Sequence, residues 1–247
     1  MDNRTDPRTT GFGYAGGLEA GRRDVAYDAG LRSYMLSVYN YMASGVLLTG
    51  IVAMLFANSA IGQDILVNGG ALRWVIMLAP LAFILVLSFG INKLSTAAAQ
   101  ALFWAFATVM GLSMASIFLV YTGTSIAQTF FATSAAFLGL SLYGYTTKKD
   151  LSGWGTFLIM GVVGLIVAML LNAFVFQSGA MTMAISAIGV LIFAGLTAYD
   201  TQKIKSMYAY VAGTDMMGKT VIMGALNLYL DFVNMFMFLL HFMGGRE

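Results

Sequence analysis

Two of the eleven acidic residues stand apart by position. Asp231 lies inside the apolar run Val221 to Phe242, and Asp200 closes the run Met181 to Tyr199. The other nine fall in the polar N-terminal segment, in loops or at the C-terminus. A carboxylate in a membrane span costs about 2.5–3.5 kcal/mol on insertion scales, so it is held toward a bundle interior or a water-filled cavity. Two carboxylates close together in low dielectric cannot both ionise easily and titrate as one coupled unit. A shared proton would hold their helices together at low pH. At higher pH the charged pair would repel or recruit a cation. Calcium takes roughly six to eight oxygen ligands. Two carboxylates supply only some of these, which suits passage better than storage.

The run around Asp231 has more polar character. Asn227, Asp231, Asn234, Phe238 and His241 recur at spacings of four, three, four and three, which places them on one helical face. Such a stripe turns toward other helices, where the two asparagines act as interhelical glue or supply further oxygens. His241 is the only histidine. It lies about 15 Å along the helix from Asp231 and reads as an interfacial residue. With no cysteine there is no disulfide, thiolate metal site or cysteine nucleophile, and one histidine makes no histidine cluster. Gly11-Phe12-Gly13-Tyr14-Ala15-Gly16 fits a dinucleotide fingerprint, but no strand precedes it. The eighteen methionines read as core filling. Gly161 and Gly164, with Ala135 and Gly139, read as close helix contacts.

The elements that must position these residues follow from composition. The 247 residues are 59% hydrophobic and 10% charged, against about 25% charged in a soluble domain. Seven apolar runs cover Val38 to Ala57, Val75 to Ile91, Ala98 to Tyr121, Ile126 to Tyr145, Phe157 to Phe176, Met181 to Tyr199 and Val221 to Phe242. Each is near bilayer-spanning length, and none holds a lysine or arginine. The chain therefore reads as an all-α membrane protein: residues 1–32 form a flexible cytoplasmic tail and 33–247 a seven-helix transmembrane domain. With the N-terminus in the cytoplasm, eleven of thirteen basic residues lie inside, leaving Arg73 and Arg246 outside with the C-terminus. A net charge of +2 gives no sign of nucleic-acid binding.

Asp200 sits in Leu196-Thr-Ala-Tyr-Asp-Thr-Gln-Lys-Ile-Lys205, and Asp231 in Leu226-Asn-Leu-Tyr-Leu-Asp-Phe-Val-Asn-Met-Phe-Met-Phe-Leu-Leu240. Together these resemble the last two helices of the Bax inhibitor-1 (transmembrane Bax-inhibitor-motif) family. Met110 to Phe118 and Gly144 to Ser152 agree with it, and the likeness is to a bacterial member, placed in the inner membrane. The resemblance implies six helices around a central seventh. It also implies a pH-sensitive calcium leak governed by two facing aspartates, which match Asp200 and Asp231. It implies a latch on the sixth-helix aspartate by an arginine near the end of the second helix. Counting back from Gly111 puts Lys93 there, and lysine lacks the planar bidentate fork.

Three functions compete. The first is the proton-gated calcium or cation leak, with the ion as permeant species and no cofactor. The second is an interaction protein that modulates a membrane-anchored protease or a stress response. The third is an intramembrane aspartyl protease, since a shared-proton dyad can activate water. That chemistry needs Gly-x-Gly-Asp where this chain has Leu228-Tyr-Leu-Asp231, so no enzyme is expected. One geometric problem stands. Asp200 ends its apolar run, whereas Asp231 lies roughly 18 Å beyond Lys219. The two meet only if the sixth helix outruns its apolar stretch or the seventh begins well inside the cytoplasm.

Overall fold

The structure is a computed structural model that describes the backbone of residues 12–245, with side chains from residue 25 onward. In chain order the helices are α1 (Phe12–Ala57), α2 (Ala60–Asn68), α3 (Gly70–Gly90), α4 (Thr96–Met114), α5 (Ile117–Val120), α6 (Gly123–Thr146), α7 (Ser152–Leu171), α8 (Gly179–Val211) and α9 (Met216–Met243). A π-helical turn, Asn172–Phe176, extends α7. Seven helical stretches are long and apolar enough to cross a membrane: α1 from Val25, α3, α4 with α5, α6, α7 with its π turn, α8 and α9. They coincide with the seven apolar runs.

Local chemistry sets the joints. Ser59, Ser95, Thr122 and Ser178 each cap a helix start, their hydroxyls accepting from the backbone N–H of Gly62, Ala98, Ser125 and Met181. Pro80 stands inside α3, where it removes a backbone donor. Ser113 of α4 donates to the Met77 carbonyl in that same stretch, at 3.2 Å.

α9 is the most protein-covered span. In its most apolar 18-residue window 72% is buried, against 11–33% in the other six. It packs mainly against α1, α4, α6 and α8, while α3 leans on α4 and α7 on α8. Outward-facing positions carry large apolar side chains such as Phe131, Leu191 and Phe89, 72%, 72% and 81% exposed. An apolar belt of this kind matches hydrocarbon and not water.

One sequence expectation needs correction, and the expected tail boundary at residue 32 falls inside α1. α1 is helical from Phe12, and its described side chains dock before that boundary. Leu31 is buried, and the Tyr27 ring meets Tyr208 of α8 at 5.1 Å. The buried Leu31 and the Tyr27–Tyr208 ring contact dock a stretch that charge content alone marks as solvated. Residues 1–11 lie outside the described residues. Of the glycines taken as close contacts, only Gly161 is one: a Cβ there would come within 2.9 Å of Ile192. Gly139 and Gly164 have nothing within 4 Å. Tight approaches against the backbone of another helix include Gly111, against the Thr49 carbonyl, and Gly144, against the Ala198 carbonyl. Small residues make close contact possible, but the rotation of each helix selects which ones are used.

Candidate functional site: a buried carboxyl pair

α8 resolves the geometric problem. It runs 33 residues, about 50 Å, and so extends well past the apolar stretch that ends at Tyr199. Asp200 stands 11 residues before its end at Val211, and Asp231 stands 15 residues into α9 from Met216. Measured from their shared loop the two are about 17 and 23 Å deep. The antiparallel pair thus sets them at similar depth.

The two side chains lie close enough to interact with each other. Asp231 is buried, the one acidic or basic residue in that class among the described residues, and Asp200 is half-buried. No backbone, hydroxyl or basic donor reaches Asp231 Oδ2 among the described residues. Carboxylate oxygens only accept, so a direct bond between two carboxyls requires a proton between them. The ammonium of Lys203, three residues further along α8, is the cation whose field acts on Asp200. It also lies over the Tyr199 ring at 5.8 Å from the centroid. The flanking residues Leu196 and Ala198 of α8, and Leu228, Phe232 and Met235 of α9, are all buried.

Gly144 brings α6 against α8 beside this site, because a Cβ there would stand 2.2 Å from the Ala198 carbonyl oxygen. That approach supports a chain of hydroxyls across three helices. Tyr39 of α1 bonds Ser141 of α6 at 2.5 Å, Ser141 bonds Thr201 of α8 at 2.9 Å, and Thr201 donates to the Thr197 carbonyl at 2.7 Å. Thr201 directly follows Asp200. A second link ties α9 to α1 and α4. Thr49 donates to the Ala107 carbonyl at 2.8 Å and shares a 2.6 Å bond with the Tyr229 hydroxyl.

The family model described as "Inhibitor of apoptosis-promoting Bax1" matches residues 31–247. The chain belongs to the Bax inhibitor family. It is 46% identical to the inner membrane protein YbhL of Escherichia coli over 221 residues, covering 89% of this chain and 94% of that one. A Caulobacter vibrioides protein is 46% identical, over 95% of this chain and 97% of its own length. Protein RP147 of Rickettsia prowazekii is 45% identical, over 95% and 98%.

The remaining residues singled out in this Bax inhibitor family chain fall elsewhere. Lys93 is exposed in the turn between α3 and α4, and Lys203 is the cation near Asp200 instead. Next to Lys93, the Asn92 carbonyl receives the Lys219 ammonium at 3.5 Å. Asn227 and Asn234 are half-buried on α9, and Asn234 donates to the Leu230 carbonyl of its own helix at 2.8 Å. The His241 side chain is exposed near the end of α9, its ring against that of Tyr121 at 6.1 Å. Among the described residues no group of three or more His, Cys, Asp or Glu gathers to hold a metal. Sequence reading missed Tyr39, Ser141 and Thr201. Hydroxyls are frequent in spans, and only helix rotation shows which of them meet.

Proposed function

We propose that this protein is a pH-sensitive cation leak, with calcium as permeant ion and the Asp200–Asp231 pair as its proton-operated gate. The observation that carries the reading is the direct contact of two acidic side chains from consecutive spans inside an apolar bundle. Protonated, the pair joins α8 to α9. Deprotonated, two like charges in low dielectric repel and attract a divalent cation. A cluster of only two acids matches weak, transient binding, which permeation requires. The reading includes no catalytic reaction and no cofactor. It places the chain in an inner membrane, as the printed name of YbhL does for that relative, with the N-terminus and most of the basic residues in the cytoplasm.

The test is calcium entry into liposomes that carry the purified protein and a trapped indicator. Flux should be greater at neutral than at acidic pH, and Asp231→Asn should flatten that dependence. Flux indifferent to both pH and the substitution would remove the leak reading and favour a role through protein partners.

A further inference from the structure

α1 and α6 both pack on α9 and meet at the Tyr39–Ser141 bond, yet they leave a groove between them. Between them lies a cavity of about 700 Å³, walled by Met35, Tyr39 and Leu47 of α1 and by Ser134 and Phe137 of α6, with Phe232 of α9 at its base. The volume falls within the roughly 300–1,000 Å³ of ligand sites. Leu36, Leu47, Leu138 and Leu142 on its rims are 51%, 64%, 67% and 63% exposed, so the cavity opens sideways onto the apolar belt. From Met35 to Leu47 the groove runs about 18 Å, close to one leaflet of a hydrocarbon core about 30 Å thick.

One end differs. Among the described residues Arg32 is the sole charged one lining the groove. Arg32 and Tyr145 also line a second, polar cavity of about 930 Å³ that holds Lys205, Gln202 and Asp28. Lys205 is fixed there, donating to the Tyr145 carbonyl at 2.8 Å with its ammonium 4.8 Å from the Tyr145 ring centroid. Arg32 and Lys205 outweigh Asp28, so the mouth is net positive. It lies at the basic end of the bundle with Lys148, Lys149 and Lys203.

From this geometry we infer that the α1–α6 groove is a binding site for an anionic phospholipid of the basic-end leaflet. One acyl chain lies along the groove and the phosphate sits between Arg32 and Lys205. An empty groove facing hydrocarbon would forfeit dispersion contacts along its walls, and an acyl chain restores them. Guanidinium binds phosphate bidentately, which gives the headgroup its preference. The Tyr39–Ser141 bond forms part of the wall, so the lipid abuts the hydroxyl chain that runs through Thr201 to the Thr197 carbonyl of α8.

The test uses the full chain reconstituted in vesicles of equal phosphatidylglycerol and phosphatidylethanolamine, then extracted in mild detergent and weighed by native mass spectrometry. Wild type should retain phosphatidylglycerol over phosphatidylethanolamine. Arg32→Gln, at an exposed position, should lower that preference about tenfold, the worth of one charge-assisted hydrogen bond. Ser134→Trp should fill the groove and abolish retention, with the helical circular dichroism of wild type. Equal retention of both lipids by wild type, or unchanged retention in both variants, would overturn the site. So would a dimer that Ser134→Trp dissociates, since a second copy would then be the occupant.

Discussion

Asp231 is buried among apolar side chains and Asp200 meets it from the next helix. Each carboxyl is the other's polar partner, so removing one strands the other. Asp231→Ala should destabilise the protein by about 1–3 kcal/mol, the cost of an orphaned buried polar group. Asp231→Asn keeps a hydrogen bond to Asp200 and should melt closer to wild type. Thermal unfolding in detergent separates the two, and an Ala variant as stable as the Asn variant would contradict the shared bond. Tyr229→Phe removes a single hydroxyl while Thr49 keeps its bond to the Ala107 carbonyl. The expected loss is about 0.5–1.5 kcal/mol, with the pH dependence of flux unchanged.

The element scale turns on how closely α6 approaches α8. A Cβ at residue 144 has no space, because the nearest atom is a backbone carbonyl that cannot rotate away. Gly144→Ala should therefore push α6 outward, cost about 1–3 kcal/mol and lengthen the Ser141–Thr201 bond. Gly139→Ala, on the same helix with open space around it, should be close to neutral. Equal melting temperatures for the two would dissociate the contact from stability. The joint before α7 has its own pH sensitivity. Asp150 Oδ1 accepts from the Ser152 backbone N–H at 2.9 Å, and this bond holds its carboxyl below the usual carboxylate range. A carboxyl depressed in the folded state stabilises it above its unfolded-state pKa, and that contribution fades as pH falls through the folded value. Amide exchange at Ser152 should therefore quicken only at strongly acidic pH, and in Asp150→Asn it should lose this pH dependence.

At the scale of the whole molecule the basic residues concentrate at one end of the bundle. Lys93, Lys148, Lys149, Lys203, Lys205 and Lys219 gather where α3, α6 and α8 end and α4, α7 and α9 begin, while Arg73 lies at the other end. The proposed orientation, which follows the positive-inside rule, puts the lysine end in the cytoplasm. Because the chain has no cysteine, single replacements report cleanly. Lys149→Cys should resist a membrane-impermeant maleimide applied outside intact cells, and Gln63→Cys in α2 should react. The reverse pattern would invert the orientation.

The number and position of the spans could be read from sequence, because about 20 consecutive apolar residues have few alternatives to crossing a bilayer. So could the two aspartates, since a carboxylate among such residues is costly enough to need a reason. Whether they meet could not be read. Asp200 sits at the edge of its apolar run, and only the continuation of α8 to Val211 brings it level with Asp231. The tertiary structure alone also chose Gly144 over Gly139 and Gly164, joined Tyr39 to Ser141 and Thr201, and left a groove between α1 and α6. Hydropathy is a sum along one chain and survives any rotation of a helix. Contacts depend on the rotation and depth of several helices at once, which are settled only when they pack together.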